Sequence, residues 1–95
     1  MMTPTTARVS SRFALRARMT GAILRYSRRR AGRTVPECAN WLGLSPAEYE
    51  RYELGQSALS LPEAEVLADA LRVPVSAFWA HSLPEIPVVD TARLI

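Results

Sequence analysis

The same helix start is written three times in this 95-residue chain: Thr34-Val35-Pro36-Glu37, Ser45-Pro46-Ala47-Glu48 and Ser60-Leu61-Pro62-Glu63. In each, a hydroxyl can accept from the free backbone N–H three residues on, while the glutamate reaches back to the N–H of the capping residue. Each also carries a proline in its first turn, where a missing N–H costs nothing. Three helix starts are therefore set by local chemistry alone, and no alternating strand pattern competes with them. Apolar spacing extends the reading to five short helices, over about 20–31, 35–42, 46–53, 61–71 and 75–81. The expected fold is all-α: a compact domain over 20–81, preceded by a basic N-terminal arm over 1–19 and followed by an extended C-terminal tail over 82–95. Within the arm, Val9, Phe13 and Ala17 repeat every fourth position, enough for a turn or two of amphipathic helix. In the tail, Pro84 and Pro87 forbid helix and leave Ile86, Val88 and Val89 as apolar teeth that need a surface to lie on.

Charge divides the chain. All twelve basic residues are arginine; nine of them fall in residues 1–33 beside no acid, giving +9, while residues 34–95 hold three arginines against nine acids, giving −6 and a net +3. The N-terminal third is thus a polyanion-seeking surface. Arg8, Arg12, Arg16, Arg18, Arg25, Arg28, Arg29, Arg30 and Arg33 make up this block. An arginine arm can follow phosphates or enter a narrow minor groove, and Arg16 and Arg18 are the arm residues nearest the domain.

Other classes of function are disfavoured by size and residue supply. A domain of 10.5 kDa buries only about two thirds of its unfolded surface, which excludes a large enclosed catalytic cavity. Cys38 and His81 are the only residues of their kinds; a thiol-imidazole pair would lack an orienting third group, and two ligands do not make a tetrahedral metal set. No enzyme activity, catalytic residue, metal, cofactor or small-molecule substrate is expected. One cysteine gives no intramolecular disulfide, no apolar run approaches the ~18 residues of a membrane span, and the N-terminus lacks the apolar stretch of a secretory signal. A cytoplasmic protein is expected; the acid-free N-terminal segment would also suit an organellar transit peptide, the less favoured reading.

The second and third helices are joined by only Gly43-Leu44, the spacing of a helix-turn-helix. Ala39 is small where the helices must cross, and Gly43 can take the left-handed conformation that ends a helix abruptly. Cys38, Leu42, Leu44, Tyr49 and Tyr52 supply the apolar positions between them. Over residues 20–80 the chain resembles the phage-repressor and Cro-like (XRE) helix-turn-helix family, a lambda-repressor-like architecture. The resemblance is carried by Leu24-Arg25, Arg28 and Gly32 in the first helix, Thr34 through Gly55 in the motif, Glu53-Leu54-Gly55 at its close, and Leu67-Ala68-Asp69-Ala70-Leu71 with Val73 beyond it.

The resemblance implies a DNA-binding transcriptional regulator, a repressor, that inserts the helix Pro46 to Glu53 into the major groove of double-stranded DNA. The helical period then turns Tyr49, Tyr52 and Glu53 inward and presents Pro46, Ala47, Glu50 and Arg51. Arg51 can pair with guanine, Glu50 can accept from cytosine N4, and Ala47 can touch a thymine methyl. Thr34, Gln56 and Ser57 stand where the family meets the DNA backbone. Arg28 and Glu53 match a scaffold ion pair, and the last helix matches a dimer contact, which makes Trp79, with Ile86, Val88 and Val89, the expected homodimer interface. Glu50 facing a polyanion supports a second reading: a protein-interaction module, such as the antitoxin half of a toxin–antitoxin pair or a subunit of a larger complex, with an acidic stripe that meets a protein partner. A coat bound to nucleic acid mainly through the arm is a third. Cys38, on the inner face, reads as a small core residue, and His81 as a cation near a helix C-terminus.

Overall fold

A computed structural model describes the backbone of residues 4–82 and the side chains of residues 12–79. Four α-helices run in chain order: α1 Pro4–Arg30, α2 Val35–Leu42, α3 Pro46–Glu53 and α4 Leu61–Leu71. A 3-10 helix, Val75–Ser82, follows them. α1 packs on α3 and on the 3-10 helix, while α2 packs on α3 and α4. Their shared core is Leu24, Cys38, Ala39, Tyr49, Ala64, Leu67, Ala68, Leu71 and Phe78.

The three capping boxes form as written. The Glu37 and Glu48 backbone N–H groups donate to Thr34 Oγ1 and Ser45 Oγ at 3.2 and 3.1 Å, and both carboxylates accept the reciprocal capping N–H at 2.9 Å. At α4, Glu63 accepts from both the Ser60 N–H (3.1 Å) and the Ser60 hydroxyl (2.8 Å). These bonds favour the ionised carboxylates. Backbone donation from Thr34 and Ser45 holds Glu37 and Glu48 below the usual glutamate range. At Glu63 partial burial pushes the other way, but donation from the Tyr52 and Ser60 hydroxyls and the Ser60 N–H leaves the pKa lowered. Three carboxyls with depressed folded pKa values bind fewer protons folded than unfolded. Their contribution is thus whole above about pH 5, begins to fade at the unfolded value near 4.3 and is lost as the pH falls on through the lowered folded values. Thermal midpoints measured from pH 7 downward should stay level to about pH 5 and then drop. Glu63→Gln should flatten that drop; an unchanged acid limb would show that the α4 box does not form in solution.

Two expectations differ from the structure. The first concerns the start of α1. Instead of an arm over 1–19 and a helix from about 20, one 27-residue helix begins at Pro4 and passes residue 19 without a break. The physical reason is that no proline or glycine interrupts the run from Pro4 to Gly21, and Pro4 occupies a first-turn position that proline suits. Arg28, Arg29 and Arg30 in the last turn favour the dipole's negative end. The second concerns the fifth helix: residues 75–82 form a 3-10 rather than an α-helix. Proline 74 initiates it, its carbonyl accepting the Ala77 N–H at 3.0 Å in an i→i+3 bond, and Phe78 is then drawn into the core. The tail residues Ile86, Val88 and Val89 lie outside the described residues.

Two glycines let α1 lie against the end of α3. A Cβ on Gly21 would run into the Tyr52 carbonyl oxygen and come within 2.6 Å of the Glu53 carbonyl oxygen. Gly55, at φ +75°, closes α3 in a left-handed turn, and a Cβ there would lie 2.5 Å from Arg18 Cα. α4 ends less comfortably on Arg72 at φ +61°, a left-handed cap that costs a side-chain-bearing residue about 1 kcal/mol. Among the described residues, no helix is long and apolar enough to cross a membrane.

Candidate nucleic-acid interface

α2 and α3 meet at Gly43, whose φ of +70° and ψ of +29° are left-handed. Its N–H closes on Asn40 O at 3.1 Å, and the Leu44 N–H closes on Ala39 O at 2.9 Å. That double closure ends α2 sharply and lets Ser45 cap α3 only two residues later. Ala39, 1% exposed, is the small residue that allows the close crossing.

α3 shows two chemically distinct faces. Tyr49 and Glu53 are buried, and Tyr52 is half-buried with its hydroxyl donating to Glu63 Oε2 at 2.7 Å. Burial and the neighbouring Glu63 carboxylate push the Tyr52 phenol up to about 12, so it stays a donor at any physiological pH. Pro46, Ala47, Glu50 and Arg51 are all exposed and share the opposite face. Glu48, although exposed, has its carboxylate folded back onto the Ser45 N–H, so its charge is engaged at the helix start.

The angle at which α3 stands is held from α1. Arg28 grips Glu53 with two bonds, Nε to Oε2 at 2.6 Å and Nη2 to Oε1 at 3.1 Å, and its Nη1 donates to Arg33 O at 3.1 Å. The two side chains are 11% and 6% exposed, so the pair is largely removed from water. The side-chain bond to Glu53 outweighs burial and raises the already high arginine pKa. Tyr49 sits behind this pair with its hydroxyl beside Glu53 and Cys38 but without a directed hydrogen-bond partner. Burial, reinforced by these neighbours, keeps that phenol protonated, and burial likewise raises the Cys38 thiol. A buried, protonated thiol is a packing group rather than a nucleophile. The His81 side chain lies outside the described ones, and among the described residues no cluster of His, Cys, Asp and Glu could hold a metal.

The other residues singled out from the sequence surround α3. Thr34 is exposed at the start of α2. Gln56 is exposed and Ser57 half-buried just past α3, their N–H groups donating to Arg51 O at 2.8 and 3.3 Å. Arg16 and Arg18 are exposed, but on a rigid helix; Arg18 backs onto Gly55, and Arg16 borders a small groove formed with Phe13, Ala58 and Trp79. A residue fixed in a helix cannot thread a minor groove as a pliant arm does. Trp79 is 37% exposed and meets Phe78 edge-to-face at 6.3 Å. Trp41 is half-buried, with the Arg33 guanidinium 5.6 Å from its ring centre and Arg33 also 3.5 Å from Glu37.

From the sequence Arg25 and Arg29 belong to the basic block, Arg25 also to the Leu24-Arg25 pair of the resemblance, without a position relative to α3. The structure puts both beside α3, on the rim of a groove of about 240 Å³ that Val35, Glu50 and Leu54 complete. A second, wider groove of about 730 Å³ runs along Ala22, Arg25, Tyr26, Arg29 and Arg30 of α1 and reaches Glu53 of α3. Part of this is written in the sequence, since residues 18, 22, 25 and 29 form one helical stripe.

A pair of capped helices hinged at a left-handed glycine, with the second helix offering Pro46, Ala47, Glu50 and Arg51 on one face and anchored by a largely buried ion pair, defines a helix-turn-helix module. The profile of the helix-turn-helix domain family matches residues 21–77, more than half of the chain, and the protein belongs to that family. Its class is that of DNA-binding regulators, with DNA as the partner. No curated protein and no solved structure matches the chain.

Proposed function

We propose that the protein is a transcriptional repressor that occupies an operator by laying α3 in the major groove. The observation that carries the reading is the exposed face of Pro46, Ala47, Glu50 and Arg51 on a helix whose other face is buried and ion-paired. Arg51 donates to guanine O6 and N7, Glu50 accepts from cytosine N4, and Ala47 meets a thymine methyl. Thr34, Gln56 and Ser57 flank the helix at positions suited to the DNA backbone, and Arg16 and Arg18 add phosphate contacts from α1. An eight-residue helix reads few base pairs. The functional unit is therefore a two-fold dimer, with recognition helices one duplex turn apart and contacts through Trp79 and the tail residues Ile86, Val88 and Val89.

One observation favours a second reading. Glu50 is exposed at the centre of the stripe, and Pro46 and Ala47 bring no polar group, which suits a face that meets a protein, as in an antitoxin or a subunit of a larger complex. Selection from random-sequence duplex pools separates the two. A palindromic site should be enriched, and Arg51→Ala should relax preference at one base position by about 1–3 kcal/mol. Absence of binding even at low salt would leave the interaction module.

A further inference from the structure

Along α1, residues 18, 22, 25 and 29 fall on one stripe, since steps of four, three and four residues keep to one side of a helix. The structure seats this stripe against the outer edge of α3. Arg18 touches Gly55, and Arg25 and Arg29 rim the groove closed by Glu50 and Leu54. Both arginines also line the wider groove with Glu53, Tyr26 and Arg30, whose Nη1 donates to the Tyr26 hydroxyl at 3.1 Å. Of the two acids that line the narrower groove, Glu53 is held bidentately by Arg28, and Glu50 is paired with neither arginine. Among the described residues neither Arg25 nor Arg29 makes an ion pair, and both are exposed. Like charges one helical turn apart repel, so this face is a standing cost that a polyanion would remove.

From this juxtaposition we propose that Arg25 and Arg29 form a second nucleic-acid contact, each taking a backbone phosphate of the strand that borders the groove filled by α3. The inference rests on the reading that α3 enters the major groove. It assigns phosphate binding to the middle of α1, whose backbone lies against the end of α3 at Gly21. The start of α2 lies on the same side, with Val35 lining the groove beside them. An acidic protein would satisfy the charge as well, but it would not require the arginines to sit level with Glu50 on the rim of the recognition helix.

The test is the salt dependence of binding to mixed-sequence duplex DNA by the full-length protein, its Arg25→Ala/Arg29→Ala variant and its Arg25→Lys/Arg29→Lys variant. Each lost phosphate contact flattens the slope of log affinity against log salt by about 0.9, so the alanine pair should be shallower by about 1.8. Between about 50 and about 200 mM salt that is roughly a tenfold smaller loss of affinity. The lysine pair should keep the original slope, and the base preference at the Arg51 position should survive in both. An unchanged slope in the alanine pair, with wild-type binding and the Arg51→Ala effect intact, overturns this inference alone. Equal loss in the alanine and lysine pairs shows that charge is not the agent and also overturns it. A wild-type protein that binds no duplex at low salt overturns this inference together with the major-groove reading.

Discussion

Gly21→Ala should be among the most damaging single substitutions, although alanine is the better helix former. In an exposed helix interior the exchange would gain about 1 kcal/mol. Here the added methyl would meet the carbonyl oxygens of Tyr52 and Glu53, the second at 2.6 Å, and both are backbone atoms that cannot swing aside. Overpacking of this kind costs about 1–3 kcal/mol in yielding cores, and more where backbone must move. A net loss of about 3 kcal/mol is expected, which for a domain of this size lowers the thermal midpoint by about 12–24 °C. The effect should reach function as well, because the atoms displaced belong to the last turn of the helix that carries Glu50 and Arg51. Thermal melting of the variant beside wild type decides the matter; an equal or higher midpoint would mean that α1 does not approach α3 so closely.

Breaking the pair between Arg28 and Glu53 should be comparably costly, and unequal to replacing both partners. Removing Glu53 leaves a guanidinium 11% exposed with no counter-charge, and removing Arg28 strands a carboxylate 6% exposed beside the Tyr49 hydroxyl. Loss of one partner of a buried pair costs about 3–5 kcal/mol. Arg28→Ala should sit toward the upper end, because the carboxylate left behind is the more enclosed group. Glu53→Gln should cost less than Glu53→Ala, since an amide oxygen still accepts one of the two bonds. The double variant Arg28→Met/Glu53→Leu should recover much of the loss, because no buried charge remains. Denaturant unfolding of the single and double variants gives the coupling directly; single losses below about 1 kcal/mol would be those of a surface pair.

The two experiments probe one device from opposite sides. Gly21 permits α1 to lie on the end of α3, and the ion pair fixes the rotation at which it lies there. Together they present the outward stripe of α3, with Arg25 and Arg29 beside it. The sequence displayed both parts without their connection. Arg28 and Glu53 are paired by the resemblance, whereas nothing local to Gly21 says which neighbour its missing side chain admits.

Helices α2, α3 and α4 were legible almost to the residue, because each boundary is a short-range event: a hydroxyl and a carboxylate three positions apart, a proline in the first turn, a glycine able to turn left-handed. The four outward positions of α3 followed from the helical period once Tyr49, Tyr52 and Glu53 were assigned to the core side. The extent of α1 was not legible. Arginine-rich composition suggests a pliant arm as readily as a solvated helix face, and the choice depends on cooperative extension from a turn that the rest of the domain has already ordered. The form of the final segment escaped for a related reason: the spacing of Phe78 suits both an α-helix and a 3-10 helix, and its burial against the core accompanies the tighter form.

Chain order alone thus determined where the middle helices begin and end, and which side chains face out from the recognition helix, because those are questions of bonding between residues three or four apart. Only the tertiary structure decided how α1 leans on α3, which of nine N-terminal arginines stand level with Glu50, and that Glu53 is already taken by Arg28. Those depend on atoms brought together across some 25 positions of chain, where packing and the exclusion of water, rather than local preference, select the arrangement.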